Sequence, residues 1–182
     1  MKNTIQKTIA LVLLFSLLGC GTSFVAKKDT FDSSTIKKIA VLPFYNISGH
    51  KDAGRVVSEA YMTEIFKSGK YDVEEPGNVR HFMVQERVGV VGELEIEKIQ
   101  ILGKRLKVDA VLVGTVEEYE DRSKESVVAI SSRLVATETG EVVWMNYRRK
   151  KGSDYTKVFD FGAVFSVALL ANKVVEEMVD SL

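Results

Sequence analysis

The chain has 182 residues, 46% of them hydrophobic, with 25 basic side chains balanced by 25 acidic ones. This length and apolar content suffice for one packed core, whereas the even charge balance argues against a nucleic-acid protein, which carries a basic excess or stripe. Cys20 is the single cysteine, so an intrachain disulfide is excluded and stability has to come from packing.

At the amino terminus, Lys2 and Lys7 precede an almost wholly apolar run over 8–18, which closes in Leu17-Leu18-Gly19-Cys20. A membrane span needs about 20 apolar residues, so the run is short for a span and suits the apolar region of a signal peptide. An ordinary secretory signal with an incidental cysteine is the plainer alternative. The arrangement resembles a bacterial lipoprotein signal peptide with its lipobox. That resemblance implies a signal over 1–19, cleavage between Gly19 and Cys20, and diacylglycerol and N-acyl lipid on Cys20. The mature protein is then anchored to a membrane and does not span it. Two acyl chains already give stable attachment. Gly21, where an Asp would signal inner-membrane retention, points by the same resemblance to the periplasmic face of the outer membrane.

Residues 20–35, rich in Ser, Thr, Asp and Lys, read as the lipidated cysteine and a short tether, with local order around Phe24 and Phe31. The β-branched apolar run at 37–44, KKIAVLPF, predicts a strand buried on both faces. Helical spacing of Val56, Val57, Ala60, Tyr61 and Ile65 predicts a helix over 52–67, with Asp52 at its cap and Ser68-Gly69 at its end. A short strand at 71–73 leads into a helix over 78–87. After Gly89-Val90-Val91-Gly92, a helix over 93–106 places acids in its first turns and Lys104, Arg105 and Lys107 in its last, complementing the helix dipole. Strands follow at 109–117, 126–137 and 141–149. Gly140 between the last two suits an antiparallel hairpin. Residues 155–182 read as one long helix. The order β-α-β-α-α-β-β-β-α predicts an α/β single-domain sandwich over 36–182, with a mixed β-sheet packed by helices.

The stretches IAVLPFYNIS (39–48), LGKRLKVDAVLVGTVEEY (102–119) and RLVATETGEVVW (133–144) resemble the CsgG, TolB amino-terminal-like and LpoB-like family of envelope proteins. The resemblance implies that fold and a non-catalytic role, either binding another envelope protein or self-assembling in an export apparatus. Within the middle stretch, Gly114 lets another element approach closely. The short, acidic link 117–124 disfavours a contributed membrane-barrel hairpin.

Catalytic signals are sparse. His50 and His81 lie apart with no metal-ligand spacing, and neither a GxSxG elbow nor a phosphate-binding GxxxxGK[ST] loop occurs, so no enzyme, metal or cofactor is expected. Glu117, Glu118, Glu120 and Asp121 read as a cation site or as a solvated strand end. Arg148, Arg149, Lys150 and Lys151 read as a site for anionic head groups or a carboxylate-rich partner, or again as a solvated strand end. In the last predicted helix, apolar residues from Phe159 to Ala171 exceed one stripe, so this stretch is either deeply buried or docks on a partner. Phe161, Phe165 and Leu169 are the candidate apolar anchors, with the four basic residues as their rim.

Overall fold

In the computed structural model, which describes residues 23–28, 33–89, 95–122, 125–156 and 162–182, the apolar run at 37–44 becomes the strand around which two layers are built. Seven strands form one sheet: β1 Ser23–Lys27, β2 Lys38–Val41, β3 Tyr45–Asn46, β4 Asp72–Val73, β5 Ala110–Arg122, β6 Glu125–Ala136 and β7 Val142–Lys151. Four helices pack on it: α1 Ala53–Ser68, α2 Pro76–Gln85, α3 Ile96–Leu106 and α4 Val167–Asp180. The strand order is β1-β7-β6-β5-β2-β4, with β3 also on β5. β2 runs parallel to β4 and β5, and β3 parallel to β5, while β5, β6, β7 and β1 are successively antiparallel. The expected mixed sheet in a single domain is what the chain forms.

Alternation along β2 explains why its sequence is apolar throughout. Ile39 and Val41 join Leu112, Ile130, Leu134 and Trp144 in the larger core, with Val57 and Tyr61 of α1 and Val174 and Met178 of α4. Ala40 and Leu42 join Val111 and Val113 in a second core, with Val79 and Phe82 of α2 and Ile99 and Leu102 of α3. A central strand clad by helices on both faces has no polar parity to display. At Gly114, a Cβ would collide with the Phe44 ring and the Ser131 carbonyl, so the close approach expected there is real.

Four sequence expectations need amending. Residues 20–35 contain a strand, because β1 satisfies its backbone on β7, from Ser23 opposite Arg148 to Lys27 opposite Trp144. The acidic link 117–124 largely belongs to strands: β5 and β6 stay paired as far as Arg122 opposite Glu125, with a bulge between Val116 and Glu118. Asp52 sits at the cap of α1 but makes no side-chain cap hydrogen bond. It approaches Arg55 instead, at 3.9 Å. Finally, the single helix read over 155–182 is shorter. A tight 3-10 turn at Gly152–Tyr155 follows β7, and α4 begins only at Val167, capped by the Ser166 hydroxyl accepting from the Leu169 N–H. Gly152 explains the interruption, since Val164 packs so closely on it that a Cβ would strike the Val164 carbonyl. The Val164 N–H donates to the Gly152 carbonyl at 3.0 Å.

Candidate interaction surface

The two helical layers are unequal. α1 and α4 cover the sheet from β2 to β7, whereas α2 and α3 cover chiefly β2 and β5 on the opposite side. On that side α3 reaches β6 only at its Val135 end, and among the described residues no helix covers the same face of β7 and β1. Alternation fixes what it displays. Trp144 and Asn146 point under α4, where the indole Nε1 donates to the Ser181 carbonyl at 3.1 Å and the Asn146 amide donates to the Ser181 hydroxyl at 2.9 Å. Met145 and Tyr147 therefore point the other way. Met145 is 41% exposed, and Phe24 of β1, 53% exposed, lies on Tyr147 with ring centroids 6.1 Å apart. Next to them, Val113, Thr115, Ser131 and Arg133 line a shallow depression with Met145. The result is an apolar, aromatic patch at the edge of a sheet, bordered by polar side chains.

The same alternation divides the basic cluster. Arg148 and Lys150 point toward α4 and meet Glu177. The Arg148 guanidinium pairs closely with that carboxylate, Lys150 Nζ lies 3.9 Å from it, and the Tyr155 hydroxyl donates to it at 2.7 Å. Arg149 and Lys151 point to the opposite face. Arg149 donates twice to Glu118, at 2.8 and 2.9 Å, and Lys151 pairs with Glu125 at 3.2 Å. These four residues are thus ion-paired parts of the sheet and do not form a free basic rim. Burial pushes the Glu177 carboxyl upward, but hydrogen bonds from Tyr155 and Arg148 and the charge of Lys150 outweigh it and hold the group below the usual carboxylate range. Tyr155, half-buried against Glu177, is raised well above an ordinary phenol, first by burial and then by that carboxylate.

The candidate apolar anchors separate as well. Phe165 is 66% and Leu169 50% exposed, one before and one within the first turn of α4. Val164, Val167, Leu170 and Ala171 face the core. The described part of this stretch thus divides into residues buried in the core and residues that are exposed. Phe161 lies outside the described residues, as do Gly19 and Cys20. Glu118, drawn from the acidic segment considered for a cation, is committed to Arg149. Among the described residues no group of three His, Cys, Asp or Glu converges on a metal position, and no helix is long and apolar enough to cross a membrane. His50 packs on Tyr119 with centroids 4.9 Å apart, and His81 faces Gln85 at 3.2 Å.

Sequence reasoning passed over Phe24, Met145 and Tyr147. The signal was present in β7, whose Met145 and Tyr147 are apolar or aromatic on the parity opposite Trp144 and Asn146. A strand with one solvated face shows polar residues there.

No protein-family model and no curated protein matches the chain. Among solved structures, the PelC dodecamer from Paraburkholderia phytofirmans is similar with a TM-score of 0.63 and 18% identity, over 89% of this chain and 96% of that one. Lipoprotein GNA1162 from Neisseria meningitidis gives 0.56 and 18%, over 79% and 99%. The LpoB C-terminal domain from Salmonella enterica gives 0.52 and 14%, over 67% and 86%. At these identities the likeness establishes the fold. The LpoB-like part of the sequence resemblance is upheld at that level, and its CsgG and TolB parts gain no specific support.

Proposed function

We propose that the chain is a non-catalytic lipoprotein of the cell envelope, anchored through lipid on Cys20 at the periplasmic face of the outer membrane. It acts by binding another envelope protein through the face of β7 and β1 that carries Phe24, Met145 and Tyr147. The observation that carries this reading is the patch of exposed Phe24 and Met145 around the half-buried Tyr147, on a face of β7 and β1 that no helix covers among the described residues. An exposed apolar patch with a polar border is the ordinary anatomy of a protein-binding site. The likeness to proteins described as a lipoprotein and as LpoB supports the anchored, accessory character.

A second reading is self-assembly into a closed ring. It is favoured by the likeness to a dodecamer and by β1, whose outer edge is unpaired among the described residues. An unpaired strand is a ready template for another chain. Photo-crosslinking in living cells from a probe at Met145, compared with a probe at Thr139, tests both readings. Adducts with one envelope protein support the first and adducts with a second copy support the second. Equal labelling from the two positions overturns the assignment of this face. The absolute mass of the detergent-extracted lipidated chain then distinguishes a ring from a monomer.

A further inference from the structure

We infer that the end of the sheet carrying Ser23, Glu125 and Phe165 rests on the bilayer surface, with Phe165 and Leu169 entering the headgroup layer. The inference rests on the lipidation of Cys20 proposed above.

Reach is the first argument. β1 begins at Ser23, so only Gly21 and Thr22 separate it from Cys20. At no more than about 3.6 Å per step the three steps span at most about 11 Å. A tether over 20–35 would have let the domain wander, but the strand removes most of that freedom.

Register is the second. Ser23 lies opposite Arg148, and Arg148 lies opposite Ile130. Ser126 is four residues further along β6 toward the same end, about 13 Å at roughly 3.3 Å per residue. Its hydroxyl donates to the Phe165 carbonyl, which fixes the start of α4 there. β6 is two strands from β1, a lateral offset of roughly 10 Å at the usual strand spacing. Phe165 therefore stands about 13 Å beyond the level of Ser23, close to the about 11 Å that Cys20 itself can reach, and two strands to the side of it.

Chemistry is the third argument. Phe165 and Leu169 are large, apolar and exposed. One stands just before the cap Ser166 and the other in the first turn of α4, so both lie at this end of the helix. The basic residues at this end are matched by Glu118, Glu125 and Glu177, so the contact draws on apolar insertion and does not need anionic lipid.

The test uses the full lipidated chain in phosphatidylcholine vesicles. Phe165→Cys, Leu169→Cys and, at the far end of the sheet, Thr139→Cys each carry an environment-sensitive fluorophore, and the thioether on Cys20 blocks labelling there. The expected result is a blue shift at 165 and 169, with loss of emission when the acyl chains are brominated. The Thr139 label stays unchanged, and anionic lipid has no effect. A mass showing bare Cys20 overturns the anchor and this inference together. Lipidated Cys20 with all three labels unquenched overturns the inference and leaves the anchor standing. A blue shift without bromine quenching also overturns it, because a protein surface then covers Phe165.

Discussion

Two carboxylates tie distant parts of the chain together, and both make stability depend on pH. Glu74 is buried and holds Lys38 of β2 at 2.5 Å while accepting from Asn78 at 2.7 Å. Burial raises this carboxyl, but the bonds from Lys38 and Asn78 prevail, so its folded value falls below the ordinary 4.5. Glu177 is lowered in the same way. A carboxyl depressed on folding contributes stability that is complete above its unfolded value and is lost as pH falls through the folded one. Chemical denaturation at pH 7 and pH 3 is expected to show a loss of stability in acid, which Glu74→Gln and Glu177→Gln each reduce. Gly114 gives a prediction of another kind. Gly114→Ala forces a methyl against Phe44 and the Ser131 carbonyl, and overpacking of this sort costs about 1–3 kcal/mol. An unchanged thermal midpoint would show that the Phe44 ring can move aside.

Elements were legible where periodicity alone determined them. α1, α3 and the β5-β6-β7 succession follow from apolar spacing, and only their ends moved. What escaped was set by partners distant in sequence. β1 has no strong pattern of its own and is a strand because β7 offers an edge, while the apolar stretch before α4 reads as helix until Val164 is seen packed on Gly152. The basic run 148–151 likewise looks like one patch in the sequence, but the pleat sends its members to opposite faces. α3 ends with Lys107 at φ 53°, a left-handed conformation on an exposed non-glycine residue. Lys107→Gly is expected to raise stability by about 1 kcal/mol, since a Cβ is disfavoured in that region by roughly 1–2 kcal/mol. α4 supports a paired test. Met178→Ala, fully buried beneath Tyr61, should cost about 2–5 kcal/mol. Phe165→Asp, largely exposed, should stay within about 0.5 kcal/mol. Comparable losses in urea unfolding would mean that Phe165 is part of the core.

For the whole molecule, the binding reading predicts that Tyr147→Asp leaves the melting curve and secondary structure nearly intact but weakens partner binding or self-assembly at least tenfold, about 1.4 kcal/mol. Light scattering of the lipidated chain and titration of the crosslinked partner measure this directly. The uncovered face of β7 and β1 could not be foreseen from the sequence, because it depends on where α2 and α3 stop in three dimensions. The sheet also contains two kinds of neighbour. β5, β6 and β7 follow one another closely in sequence, whereas β1 waits for β7, with Ser23 meeting Arg148. Contacts between distant segments form late, because the loop they close has to be ordered first. A chain emerging amino-terminus first would thus carry β1 as an unpaired strand until most of the polypeptide had followed. In this interval the protein is open to aggregation and to holding chaperones, and joining of β1 to β7 is the step that ends it.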